Sequence, residues 1–295
     1  MRSAYRLGFR GMAVDGNQRC GKTHACLYLR DTLAETMGYP VATFLWSIPE
    51  FASTERDFQQ ERLRDSGCQA ISHRDIAVLR GRLYDHIAET AIAMGGRRAI
   101  IVVDEAQNLT RQQYHYLHHC DNNLEQRKIR PFFILIGQPE LRTMTSSWTQ
   151  SNGHQVVGRF FTRRHEYKGI ALADLPRIVE AFDEPLGDAD ETTYAHAVQR
   201  VYKAGWRLSH ESKTLVEVIK AIAAKHNITN GIRVPMQSLR AMLLSILFQV
   251  AEAECDPGSV GRKMILKAVR ESAFPSVMSY YVDPSMDEDD EPQAA

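Results

Sequence analysis

The sequence of 295 residues has no net charge, no Cys-x-x-Cys pair and no apolar run long enough for a membrane span. Each absence narrows the possibilities. The five cysteines, Cys20, Cys26, Cys68, Cys120 and Cys255, are odd in number and scattered, so they suggest neither a disulfide framework nor a zinc ribbon. Reduced thiols in a cytoplasmic protein are the expectation. The longest apolar segment, Ala241 to Ala251, is too short to cross a bilayer. The N-terminus carries Arg2, Arg6 and Arg10 without an apolar stretch behind them, so no export signal is expected. Lys plus Arg and Asp plus Glu both total 36, and net charge alone therefore marks no nucleic-acid binder.

The distribution of charge is more informative. Residues 1–170 hold 23 basic and 17 acidic side chains, a mild basic surplus compatible with a polyanionic partner. The compensating acids are Asp283, Asp287, Glu288, Asp289, Asp290 and Glu291. Like charges, two prolines and no aromatic residue over 283–295 predict a disordered acidic tail.

Between these ends the hydrophobic period changes once. Over 1–170, short apolar runs alternate with helical spacing. Gly8 to Asp15, Val41 to Trp46, Ala99 to Val103 and Phe132 to Ile136 read as strands, with Arg164 to Ile170 as an edge strand. The continuous, β-branched AIIVV run at 99–103 is the mark of a strand buried on both faces. Helices are expected over Lys22 to Met37, over Ser72 to Met94 with a capping box at Ser72 and Asp75, and from Thr110 with a second box at Gln113. Strand and helix in alternation predict an α/β fold with a parallel sheet sandwiched by helices. From Ala171 onward Leu175 to Phe182, Tyr194 to Tyr202, Leu215 to Ala224, Met236 to Val250 and Val260 to Val269 read as amphipathic helices, so 171–282 is expected to be an all-helical domain.

The chemistry is concentrated where strands end. Gly16-Asn17-Gln18-Arg19-Cys20-Gly21-Lys22-Thr23 has the P-loop spacing, placed between a strand and a helix. Glycines let successive N–H groups converge on phosphates at a helix N-terminus. Lys22 adds positive charge, and the Thr23 hydroxyl is a ligand for Mg2+. ATP is the expected nucleotide, since no Asn-Lys-x-Asp guanine-reading motif occurs. The buried strand ending in Asp104 and Glu105 supplies the other half: Asp104 for the hydrated Mg2+ and Glu105 to polarise the attacking water. Gln138, emerging from the next buried strand, is either a sensor of the γ phosphate or a polar turn residue. Arg159, like Arg163 and Arg164, either reaches a neighbouring subunit's phosphate or is a solvated arginine. His115, His118 and His119, with Cys120 and Asp121 beside them, have helical spacing open to zinc or to a polar-aromatic face.

P-loop, Asp-Glu pair, polar sensor position, later arginine and helical lid together resemble the AAA+ ATPases over most of residues 8–270. Within them, IIVVDEAQNL at Ile100 to Leu109 and FFILIGQPEL at Phe132 to Leu141 are similar to transposition regulators of the TnsC and TniB type and their ExeA-like relatives. The resemblance implies ATP-dependent rings or filaments on double-stranded DNA that link a target-selector protein to a transposase. It places Arg159 in the arginine-finger position and Arg233 near the lid position that contacts nucleotide. Arg62, Arg64, Arg74, Arg111, Lys128 and Arg130 then become candidates for a DNA track, against the alternative of a solvated charged face. Asp104-Glu105-Ala106-Gln107 also resembles motif II of DExx helicases. A helicase loader and a non-catalytic P-loop scaffold are further alternatives.

Overall fold

The computed structural model describes residues 4–5, 7–51, 54–150, 154–187, 189–252, 258 and 260–283. The predicted acidic tail lies, apart from Asp283, outside the described residues. The chain divides into two compact units, one of residues 1–18 and 22–167 and the other of 19–21 and 168–295.

The first unit is a five-stranded parallel sheet with helices on both faces. In chain order it runs β1 (Gly11–Asp15), α1 (Lys22–Met37), β2 (Ala42–Ser47), α2 (Glu55–Asp65), α3 (Ile76–Ala93), β3 (Arg98–Asp104), α4 (Arg111–Gln126), β4 (Arg130–Gly137), α5 (Glu140–Gln150), α6 (His154–Phe160) and β5 (Arg164–Glu166). The strand order is β2-β3-β4-β1-β5. The central strands show why a continuous apolar run is needed here. Ile100 and Val102 of β3 join Cys26, Leu33, Phe132 and Ile134 on one face. Ile101 and Val103 point the other way, to Leu83, Ile87, Leu117, Phe133 and Leu135. Successive strand residues face opposite sides, and both sides are covered. Burying each such side chain contributes about 1.5–3 kcal/mol, which fixes the strand ends that carry the polar residues.

Local signals set the helix starts. Thr110 Oγ1 accepts from Gln113 N at 3.2 Å while Gln113 Oε1 accepts from Thr110 N at 2.9 Å, the expected reciprocal cap of α4. The box expected at Ser72 does not form. Instead α3 begins after Asp75, whose side chain accepts from Ala77 N at 2.8 Å. A complete capping box does occur at Thr54 and Asp57 and opens α2, a helix absent from the sequence-based reading. The edge strand expected over Arg164 to Ile170 pairs with β1 only at Arg164–Glu166.

The second unit contains α7 (Leu175–Ala181), α8 (Gln199–Lys203), α9 (Ser212–Lys225), α10 (Met236–Glu252), α11 (Arg262–Glu271) and α12 (Phe274–Val277). Helix α11 packs on both α9 and α10. Leu215, Ile219, Leu239, Met242, Ile246, Ile265 and Val269 are buried there. The expectation of a purely helical domain needs correction: β6 (Ile170–Ala171) and β7 (Arg233–Val234) form a short antiparallel ladder, and Ile232 bridges Val282. Of the helix expected over Tyr194 to Tyr202, only α8 is helical.

Candidate nucleotide site

The parallel sheet brings the C-terminal ends of β1, β3 and β4 to one edge, and the predicted chemistry converges there. Gly16 N donates to Gly137 O at 3.2 Å, tying the start of the P-loop to the end of β4. A Cβ on Gly16 would lie 2.2 Å from the Tyr167 carbonyl oxygen, so no larger residue fits. Arg19 has φ 61° and Gly21 φ 100°, the left-handed conformations that turn backbone N–H groups into an anion-binding concavity. Lys22 is buried and its Nζ donates to the carbonyls of Gly16 and Asn17, each at 2.7 Å. Its charge therefore sits inside the loop.

Asp104, at the end of β3, is 4 % exposed. Burial pushes its carboxyl up from the ordinary range, while a hydrogen bond from the Thr23 side chain and one from Glu105 N oppose that shift. The Glu105 N–H to Oδ1 distance is 3.0 Å. A hydroxyl and a carboxylate are thus held together, a hard oxygen donor pair of the kind Mg2+ takes. Cys26, on the buried face of α1, has its thiol pushed up to about 12 by burial first and by Asp104 second, so it is an inert packing residue.

Glu105 adopts φ 55° and ψ 39°. A left-handed non-glycine residue costs about 1–2 kcal/mol, and such strain persists where the surroundings impose it. Here they do. Glu105 Oε2 accepts from Gln107 Nε2 and lies 3.4 Å from Gln138 Nε2. Gln138 Oε1 accepts from Gln18 Nε2 at 2.9 Å, and Gln138 N donates to Gln107 Oε1 at 3.0 Å. P-loop, Asp-Glu turn and the residue after β4 are joined in one polar chain. Gln107 was missed as a contributor, whereas Gln18 was expected as a P-loop residue. The only sequence signal for Gln107 is its position two residues after Glu105, and for Gln18 its place inside the P-loop.

Residues 9–145 match the family model described as an AAA domain. Over that span the fold, with its P-loop, is similar to that of AAA domains. Among solved structures, the ORC2 protein of Aeropyrum pernix, in ADPNP and ADP complexes, is similar with a TM-score of 0.62 at 14% identity, covering 92% of this chain and 64% of that one. Drosophila ORC bound to DNA is similar with a TM-score of 0.55 at 12% identity, covering 96% of this chain and 65% of that one. The chain spans less than two thirds of the length of either. No curated protein matches the sequence.

The remaining predicted residues of the AAA+ reading scatter. Arg159 on α6 donates from Nη1 to Asn122 Oδ1 at 2.9 Å and to Asp121, a buried carboxylate whose pKa is raised by that burial and held back chiefly by Arg159. Arg233 pairs with Asp283 at 3.4 Å, and Asp283 also accepts from Lys168 Nζ at 2.7 Å. Arg62 cannot belong to a DNA track. It is 1 % exposed, pairs with Asp65 at 3.0 Å and donates to Ser47 O at 2.8 Å, because helix α2 turns it inward onto the end of β2. Arg64, Arg74 and Arg111 are exposed, on segments near the strand ends that carry the nucleotide site. Lys128 and Arg130 are exposed at the opposite edge, where β4 begins. The histidine face of α4 turns to hydrogen bonding: His119 Nδ1 lies 3.1 Å from Tyr84 Oη and 3.1 Å from Asn123 Nδ2. Among the described residues no group of three His, Cys, Asp or Glu could hold a metal ion. No described helix is long and apolar enough to cross a membrane.

Proposed function

We propose that this chain is a cytoplasmic, ATP-driven DNA-binding regulator that assembles on double-stranded DNA and connects a target-selector protein to a transposase. The observation that carries the enzymatic part is the convergence of Lys22, the Thr23–Asp104 pair and the Glu105–Gln138 pair at one sheet edge. Lys22 would leave the carbonyls of Gly16 and Asn17 for the β and γ phosphates. Thr23 and Asp104 would hold Mg2+, which supplies charge neutralisation at the phosphates when bound. Glu105 accepts the developing proton of the attacking water and Gln138 orients it. Arg159 completes the site of a neighbouring copy, and Arg233 contacts nucleotide from the lid.

The transposition role is supported by the IIVVDEAQNL and FFILIGQPEL runs, the first containing Glu105 and Gln107 of the polar chain and the second Gln138. The DNA role is supported by the exposed arginines on the nucleotide side of the sheet and by the likeness in fold to a DNA-bound ORC. Electron micrographs of the protein with ATP and duplex DNA should show rings or filaments, and purified transposase should be retained by them. Particles that remain monomeric under those conditions would remove the regulator reading.

Backbone contact by arginines gives salt-dependent, sequence-tolerant binding. With ATP present, duplex affinity should fall steeply as salt rises. Replacing Arg64, Arg74 and Arg111 together by Ala should make that slope shallower by roughly 0.9 for each lost phosphate contact. Lys128→Ala with Arg130→Ala, at the far edge, should leave it unchanged. Fluorescence anisotropy at several salt concentrations measures both, and equal losses from the two sets would contradict this placement of the track.

A further inference from the structure

Asp15, the residue before Gly16, carries a carboxylate that the nucleotide mechanism does not use and that is fully buried. Each of its oxygens has an arginine. Oδ2 accepts from Arg142 Nε at 2.6 Å and Oδ1 from Arg164 Nε at 2.6 Å. Arg142 also pairs with Glu166. A buried carboxylate is tolerated only when so satisfied, and its loss of freedom fixes whatever carries the partners.

Arg164 lies on β5, which flanks β1, and Arg142 on α5, the helix that follows the other flanking strand, β4. In the sheet Asp15 stands opposite Gly137 of β4 and Glu166 of β5. Arg142 lies in the first turn of α5, and that turn begins on Gln138: Leu141 N donates to Gln138 O at 3.0 Å and Arg142 N to Pro139 O at 2.9 Å. A pull on Arg142 is therefore a pull on Gln138. Gln138 is in turn held against Gln18 and Glu105 at 2.9 and 3.4 Å. The root of the P-loop and the residue following β4 are thus linked through the Asp15–Arg142 ion pair.

We infer that Asp15 and Arg142 form a positioning pair that sets Gln138 relative to the P-loop and Glu105 for hydrolysis. The inference rests on Gln138 acting in turnover, as proposed above. The pair acts on geometry, so it should govern kcat and leave the affinity for ATP alone. Arg142 is 38 % exposed at its side chain, so Arg142→Ala is expected to fold even if Asp15→Asn does not.

A double-mutant cycle on the full chain with ATP, magnesium and duplex DNA tests this. Arg142→Ala should lower kcat by up to about 10²-fold, the cost of misplacing a reacting group by an ångström, with KM unchanged. Arg142→Lys, which keeps charge and a donor, should recover part of the loss. In the Gln138→Ala background Arg142→Ala should cost nothing more, since coupled residues are non-additive. Losses that multiply across the cycle, or a full kcat for Arg142→Ala beside a reduced one for Gln138→Ala, would overturn the positioning pair. An unchanged kcat for Gln138→Ala alone would identify the sensor assignment as the failure and overturn the pair with it.

Discussion

Glu105→Gln should retain ATP binding and lose about 10²–10⁴-fold in kcat, the range that general-base catalysis supplies. The substitution is nearly isosteric, and its amide can keep the contacts with Gln107 and Gln138 that hold the left-handed turn. What it cannot do is accept a proton from water. Binding, by contrast, rests on Lys22 and the loop amides, which the substitution does not touch. Calorimetric ATP affinity and steady-state phosphate release on the same preparation separate the two. Parallel loss of binding and turnover would show Glu105 to be a structural residue of the turn.

Arg159→Ala should remove about 10³–10⁵-fold of turnover if its guanidinium acts on a neighbour's γ phosphate, and leave nucleotide binding intact. Its own unit offers no role at the nucleotide: its partners are Asp121 and Asn122 on α4. To act in trans it must leave Asp121, whose carboxylate then keeps Arg10, 3.8 Å away. Mixing tests the assignment. The Lys22→Ala protein retains Arg159 and should partly restore hydrolysis by the Arg159→Ala protein in mixed oligomers. No restoration would assign Arg159 to the fold, as the clamp on a buried aspartate.

The motif-bearing parts of this site were legible because they are local. A P-loop is a spacing of glycines, lysine and threonine. The Asp104–Glu105 end is a β-branched run followed by two acids, and the run is continuous because both sheet faces are covered. Strand order, which places β1 between β4 and β5, has no local signature. The pairs that depend on it were accordingly invisible: Asp15 with Arg142 and Arg164 lies 127 and 149 residues apart in sequence, and Arg159 with Asn122 lies 37 apart.

Arg62 illustrates the same limit from the other side. In a segment as polar as Glu55–Asp65, an arginine reads as solvated. Only the fold supplies Ser47 O and the i+3 partner Asp65 that let it be buried. Helix α2 itself was signalled by Thr54 and Asp57, a capping box whose helix has too few apolar residues to show a period. In the second unit, the apolar stripes of α9, α10 and α11 were legible, whereas the β6–β7 ladder is too short to leave a pattern.

Gly16 to Thr23, with Asp104 and Glu105, are proposed to form an ATP-hydrolysing site. Its most direct test is an ATP titration in magnesium of the wild-type chain and of Lys22→Ala, followed by phosphate release with duplex DNA present. Wild type should bind and release phosphate, and Lys22→Ala should do neither, having lost the charge that meets the phosphates. Undiminished ATP affinity in Lys22→Ala, or a wild-type chain that binds ATP and releases no phosphate with DNA, would contradict it.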